Sequence, residues 1–176
     1  MIHEVSYWLD ARDRIVRTCA NWDGFALDND GIAAVGKNVR GESLWDFVMG
    51  DPTRIWLSTV LSLARLRDEP VKRPYRCDSP TEKRYMEMVV SREGKKGDLL
   101  LTHRILRAEP VRPPLSFVAA RASGPWMARC SICNRVLADN RWTEPQEAFR
   151  RGLLPEDGSI PVIYGVCPDC RRAMPV

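Results

Sequence analysis

Several signals of catalysis and membrane insertion are missing from this 176-residue sequence, which has only two histidines and 8% aromatic residues. No apolar run approaches the roughly 20 residues that span a bilayer, so no membrane segment is predicted. There is no glycine-rich G-x-G-x-x-G loop, and no nucleophile, base and carboxylate form a recognisable catalytic set. The sequence therefore predicts a protein that binds rather than an enzyme.

Secretion signals are also absent from the start of the chain. The first residues contain neither a basic segment nor an apolar stretch of signal-peptide length, so a cytoplasmic location is expected. Apolar residues make up 44% of the chain and charged residues 28%, which is typical of a globular protein. Cysteines in a reducing compartment more often bind metal or stay reduced than form disulfides.

Four of the six cysteines form two Cys-x-x-Cys pairs in the C-terminal third, Cys130 with Cys133 and Cys167 with Cys170. Each pair offers two thiolates to one ion from a tight turn, and two pairs complete a tetrahedral set of four sulfurs. The alternative is that the four cysteines are reduced thiols that bind no metal. Two such pairs favour a metal, and Zn²⁺ is favoured over an iron–sulfur cluster because nothing nearby indicates electron transfer. No histidine or carboxylate completes a three-ligand site, so the zinc is expected to be structural.

Basic residues accompany these cysteines. The chain has a formal net charge of +4. A zinc ion with four thiolates carries two negative charges, which Arg129, Arg135, Arg171 and Arg172 would offset. The basic tail therefore does not require a nucleic-acid partner, although a nucleic-acid-binding regulator remains an alternative.

The first 110 residues predict a mixed α+β unit in which two strands are followed by helices and then by three strands. Asp51 and Pro52 suit the start of the longest helix. Pro74 places its strand at a sheet edge or a bulge. The predicted strands are 5–9, 14–19, 71–77, 84–91 and 99–107, and the predicted helical segments lie near 21–27, at 44–48 and from 51 to about 68.

Apolar periodicity assigns faces to these elements. Six helical residues share a predicted core-facing stripe: Ile55, Trp56, Thr59, Val60, Leu63 and Leu66. Alternation in the last two strands groups Met86, Met88 and Val90 on one face, and Leu99, Leu101, His103 and Ile105 on another. Cys19 and Cys77 are expected to be buried free thiols.

Proline marks the end of this unit, because residues 110–114 contain three prolines. We therefore predict a domain at 1–110, a linker at 111–125 and a cysteine module at 126–176. Residues 115–122 suit either a strand or a helix. Within the module, Thr143 and Gln146 have the spacing of a capping box, and Gly152 ends the helix that follows.

The order of elements is similar to that of PAS domains, and local phrases strengthen this resemblance. Residues 40–48 (RGESLWDFV), 50–54 (GDPTR) and 76–80 (RCDSP) resemble stretches of a bacterial PAS-like family. The cysteine module, which ends in YGVCPDC at 164–170, is similar to a Cys₄ tail found after sensory domains in bacterial signalling proteins.

This resemblance implies a five-stranded antiparallel sheet with helices on one face, followed by a small Cys₄ zinc module. It also implies a pocket for an unknown small ligand, with Trp45, Trp56, Tyr75 and His103 as candidate lining residues. The expected partner is a protein in a signalling pathway, and a homodimer is an option.

The sequence thus predicts a cytoplasmic sensory or interaction protein with a structural zinc site. Two alternatives remain open: a nucleic-acid-binding regulator that acts through the zinc module, and a thiol redox switch that releases zinc on oxidation.

Overall fold

The computed structural model describes residues 4–28, 31–94, 97–120, 125–155 and 159–173. The chain is α+β. Its strands are β1 (Glu4–Leu9), β2 (Ile15–Thr18), β3 (Val71–Arg76), β4 (Glu82–Glu93), β5 (Asp98–Pro110), β6 (Ser116–Ala119), β7 (Met127–Cys130), β8 (Val136–Ala138), β9 (Arg141–Thr143) and β10 (Ser159–Gly165). Its α-helices are α1 (Trp22–Asp28), α2 (Gly36–Val39), α3 (Asp51–Leu66), α4 (Pro145–Arg150) and α5 (Pro168–Arg172), with 3₁₀ turns at Ile32–Ala34 and Leu44–Asp46.

Two compact units divide the chain. The first unit comprises Met1–Met49, Arg54–Pro74 and Met86–Leu106, and the second unit comprises Gly50–Thr53, Tyr75–Tyr85 and Arg107–Val176. The domain at 1–110, the linker at 111–125 and the cysteine module at 126–176 stay a prediction. Residues 121–124 of the predicted linker lie outside the described part of the chain.

The strands predicted in the first 110 residues form one five-stranded sheet in the order β2-β1-β5-β4-β3. β1 pairs antiparallel with both β2 and β5. The predicted edge position of Pro74 is confirmed, since β3 is the last strand of this sheet. The faces grouped by alternation are confirmed in part, since Met86, Met88, Leu99 and Leu101 are all at most 2% exposed. His103 and Ile105 of the same predicted face are only half-buried, and Thr102 of the opposite face is buried.

Helix α3 begins and ends close to the predicted positions, but part of the predicted core-facing stripe is wrong. Ile55 and Leu66 are 64% and 80% exposed, whereas Leu57 and Leu61 are buried. Apolar side chains lie on more than one face of this helix, so two stripes fit helical spacing equally well. Tertiary packing buries Leu57, Val60, Leu61 and Ala64, and the periodicity of the sequence does not contain this choice of face.

A second five-stranded sheet, in the order β6-β10-β7-β8-β9, was not predicted. β10 pairs in parallel with β6 and with β7, and β8 pairs antiparallel with β7 and with β9. Residues 115–122, which suited either a strand or a helix, contain β6. The core of this unit is formed by Leu115, Val136, Ala138, Ala148, Leu154, Ile160 and Val162.

The predicted capping box at the start of α4 is wrong. Glu144 is the N-cap residue, and its side chain makes no capping hydrogen bond. Its carboxylate instead accepts two hydrogen bonds of 2.9 Å from Arg76 Nη1. Gly152 ends the helix as predicted, with a φ of 69° that is less costly for glycine than for other residues.

His103 provides a pH-dependent prediction for the first unit. Its ring stacks on that of Tyr7 with a centroid distance of 5.6 Å, and burial lowers the pKa of His103 to about 4. The unfolded chain, with a pKa of about 6.5 for this residue, takes up the proton first as the pH falls. The free energy of unfolding is therefore unaffected by His103 above pH 6.5. Between pH 6.5 and 4, protonation of His103 in the unfolded chain lowers it by up to about 3 kcal/mol.

Urea unfolding of the wild type and of His103→Gln at pH 7.0, 5.5 and 4.5 measures this effect. Carboxylates titrate in both proteins, so the difference between the two pH profiles isolates His103. We expect the wild type to lose more stability than the variant over this range. Parallel profiles would contradict the prediction.

No helix in the described ranges is long and apolar enough to cross a membrane.

Candidate metal centre

The structure brings the four predicted cysteines, Cys130, Cys133, Cys167 and Cys170, into one cluster. All four Sγ atoms lie within 4.8 Å of one another, and the Sγ atoms of Cys133 and Cys167 are 3.7 Å apart. A tetrahedron with Zn–S bonds of about 2.3 Å has S–S edges of about 3.8 Å, so this spacing suits one ion. It is far longer than the roughly 2.05 Å of a disulfide. The cluster therefore has the composition and size of a tetrahedral metal site.

The first pair lies on the turn between β7 and β8. Cys130 N donates to Arg135 O at 2.8 Å, and Asn134 N donates to Cys130 O at 2.9 Å, which closes the turn around the sulfurs. Asn134 has a φ of 60°, a left-handed conformation that asparagine tolerates better than most residues. The backbone thus holds Cys130 and Cys133 on the same side of a tight loop.

The second pair begins α5. Cys167 is its N-cap residue, and the Cys167 Sγ accepts a hydrogen bond from Cys170 N at 3.4 Å. Cys167 N in turn donates to Cys130 Sγ at 3.4 Å, which connects the two pairs directly. Such N–H donors stabilise negative charge on sulfur, as a metal-binding thiolate requires.

Hydrogen bonds among the four cysteines shift the pKa values of their thiols. Hydrogen bonds from Cys133 and Cys170 lower the pKa of Cys130. The hydrogen bond to Cys130 raises the pKa of Cys133 to about 12 and also raises the pKa of Cys170. Adjacent thiols thus oppose one another's ionisation, whereas a divalent cation would stabilise all four thiolates and release protons.

Of the four arginines predicted to offset the charge of the cluster, Arg135 lies close enough for Cys133 and Cys167 to act on it, and the role of the other three stays a prediction. Arg135 Nη1 lies 3.1 Å from Asp169 Oδ2, and Arg172 Nη2 lies 2.5 Å from Asp169 Oδ1. Burial alone would lower the pKa of Arg135, but the negative charge of Cys133 and of nearby carboxylates raises it. Asp169 therefore pairs with both arginines, and Arg135 is in addition near the cysteines.

Residues far away in the sequence hold the first cysteine turn. Arg76 N donates to Ile132 O at 2.7 Å, and Asn134 Nδ2 donates to Arg76 O at 3.2 Å. The hydroxyls of Thr53 and Ser131 are 2.5 Å apart. Sequence reasoning missed these contacts because nothing local to Thr53 or Arg76 indicates a partner so distant along the chain.

Arg76 also organises a buried charge network in this unit. Its guanidinium makes a bidentate pair with Asp78 and reaches Glu144 at 2.9 Å, and Lys83 Nζ lies 2.8 Å from Glu144. Burial alone would raise the pKa of Glu144, but Lys83 and Arg76 hold it below its ordinary value. Glu144 is thus recruited into an ion network that connects the residue 75–85 segment to the start of α4.

The candidate pocket residues are distributed over both units. Trp45, Trp56 and His103 belong to the first unit, and Tyr75 belongs to the second. Trp45 Nε1 donates to Asp13 Oδ2 at 3.1 Å. The ligand pocket that these four residues were expected to line stays a prediction.

Cys19 and Cys77 lie apart from the cluster, and both are half-buried rather than fully buried. Cys19 Sγ accepts a hydrogen bond from Ser6 N at 3.2 Å. Burial raises the pKa of Cys77, which disfavours its reactive thiolate form.

Comparison of the chain with known proteins yields no match to a family model and no match to a curated protein.

Proposed function

We propose that this chain is a PAS-like sensory or interaction protein of bacterial signalling whose second unit is held together by a structural zinc ion. Its function is binding rather than catalysis. The observation that carries the metal part of this proposal is the convergence of four cysteine sulfurs, with the Sγ atoms of Cys133 and Cys167 3.7 Å apart. Zinc is the ion that this all-sulfur donor set suits best.

A structural rather than catalytic role follows from the number of ligands. Four thiolates complete the tetrahedral coordination of Zn²⁺, which leaves no position for a reacting water or substrate. Cys130 and Cys167 are fully buried, as expected for ligands that hold a fold together. The ion would connect the β7–β8 turn to the start of α5, two segments that are distant in sequence.

The sensory part of the proposal is supported by the first sheet. Its five strands were predicted from the sequence, and the three helices lie between β2 and β3 in the chain. This is the order of elements on which the PAS resemblance rests. We infer a cytoplasmic protein that binds a small ligand near Trp45, Trp56, Tyr75 or His103, or that binds a protein partner or a second copy of itself.

Native mass spectrometry and elemental analysis of the full chain test the metal. We expect one zinc ion per chain, bound with the release of protons because the thiols must ionise. The double variant Cys19→Ser/Cys77→Ser is the matched control and should keep the metal, since neither residue belongs to the cluster. A metal-free wild type, or loss of metal in this control, would contradict the proposal. The same spectra report any bound ligand and the number of chains.

A redox switch is the second candidate function, because Cys133 and Cys170 are only half-buried and are therefore accessible to oxidants. Zinc released by mild peroxide into a chelating dye would support the switch. Retention of the metal would support a purely structural site.

A further inference from the structure

Arg129 occupies an unusual position for an arginine, on the core side of the second sheet. It pairs in register with Tyr164 of β10, two residues after Val162, which is 2% exposed. Because side chains alternate along a strand, Tyr164 and Val162 share a face, and Arg129 lies beside them. Arg129 is itself only 8% exposed. A permanently charged side chain therefore occupies a site where an apolar one would be expected.

The guanidinium of Arg129 is only partly satisfied. It stacks over the ring of Phe117, with 3.9 Å from Cζ to the ring centroid, and its register partner on the neighbouring strand is Tyr164. Its Nε is buried and has no hydrogen-bond partner among the residues that the structure describes. Arg76, the other buried arginine of this unit, has two carboxylate partners. The Nε is too enclosed to serve a ligand, so the two Nη atoms are the donors that Arg129 could offer.

A cavity of about 170 Å³ lies against Arg129. Ser79 and Ser116 also line the cavity. Ser116 begins β6 and is exposed, whereas Phe117 is half-buried, so strand alternation directs the Ser116 side chain to the face opposite Phe117 and Arg129. The hydroxyl of Ser79 is therefore the candidate donor to an anion. The remaining wall is apolar and comprises Pro80, Leu115 and Phe117 together with the side chain of Asp78.

Asp78 is the only acidic residue that lines this cavity among the described residues, and its charge is already compensated. Its carboxylate forms the bidentate pair with Arg76, and Asp78 Oδ1 also accepts a hydrogen bond from Arg84 N at 3.3 Å. Asp78 also attracts Arg129, but its salt bridge is with Arg76, so Arg129 has no direct carboxylate partner among the described residues.

We propose that this cavity binds a small monocarboxylate. The carboxylate would accept hydrogen bonds from Arg129 and Ser79, and a short alkyl chain would lie against Leu115 and Phe117. An arginine fork matches two carboxylate oxygens, and the cavity is too small for a nucleotide or a sugar phosphate. The apolar wall favours an organic acid over inorganic phosphate, which has no apolar part. This site requires neither the PAS resemblance nor zinc as the identity of the metal.

Calorimetric titration of the full metal-loaded chain with sodium butyrate, at constant ionic strength set by sodium chloride, tests the proposal. We expect saturable binding to the wild type that weakens on the order of tenfold or more in Arg129→Met, because a charge-assisted hydrogen bond is lost. The control Arg150→Met removes an exposed arginine of the same unit and should change the affinity by less than about twofold.

Ser79→Ala is the deciding variant if Arg129→Met does not fold, since it changes one small side chain that is not a metal ligand. We expect this variant to bind butyrate several-fold more weakly while retaining its metal. Butyrate-induced amide shifts confined to residues 79, 116, 117 and 129 would support the site. No saturable binding, equal binding by the variants, or preference for inorganic phosphate over butyrate would overturn the proposal.

Discussion

Replacing Cys133 by serine is expected to unfold the cysteine-containing unit while the first unit stays folded. A structural zinc site in a small domain contributes on the order of 10 kcal/mol, more than the entire stability of many domains. Serine removes one of four ligands and leaves the remaining thiols without a complete tetrahedron. The second unit would then rely on a core made mostly of small and medium aliphatic side chains.

Hydrogen exchange and limited proteolysis measure this result segment by segment. We expect fast exchange and cleavage in β7, β8 and β10, with protection retained in β1 and in β5 up to Leu106. A strong chelator should reproduce the pattern in the wild type, and Cys77→Ser is the matched control that should not. If Cys133→Ser and chelated wild type keep a protected second unit, the cluster does not hold this unit together by binding a metal.

Replacing Arg76 by methionine is expected to destabilise the second unit by about 3–5 kcal/mol, because it removes one partner from a buried ion network. Asp78, whose side chain is 10% exposed, would be left as a buried charge without its main partner. Lys83 would still pair with Glu144, so the carboxylate of Asp78 accounts for most of the cost. The backbone bonds between Arg76, Ile132 and Asn134 do not require the arginine side chain.

Urea unfolding of the metal-loaded protein measures this loss. The double variant Arg76→Met/Asp78→Asn should recover part of the stability, since the unpaired charge is then absent. Arg150→Met, which breaks an exposed pair with Glu147, should cost no more than about 1 kcal/mol. A loss below 1 kcal/mol in Arg76→Met would show that the network contributes little.

Predictions from the sequence were correct for features that depend on residues close together in the chain. Two cysteines separated by two residues must lie on one turn, so each half of the cluster could be predicted from its spacing. Alternation grouped Met86 with Met88 and Leu99 with Leu101, because a strand places every second side chain on the same face, and the structure shows that all four are buried. Proline in β3 correctly indicated an edge strand, since proline cannot donate to a neighbour.

Pairs between residues that are distant in the sequence could not be predicted in this way. The parallel pairs that β10 forms with β6 and β7 join short strands far apart in sequence, and their propensity does not specify a partner. Thr143 and Gln146 have the spacing of a capping box, yet the helix begins one residue later, with Glu144 as its N-cap residue. The Glu144 carboxylate pairs with Arg76 and Lys83, and nothing near residue 144 in the sequence predicts these partners.

The amino-acid order is therefore sufficient to specify the two cysteine turns, the strands of the first sheet and the extent of α3, because each depends on neighbours within a few residues. The folded chain decided which face of α3 is buried, how Glu144 is used and where Arg129 meets a cavity. These outcomes depend on desolvation and on charged partners that come together only when the chain folds. Such interactions produce no repeating pattern of residues from which they could be predicted.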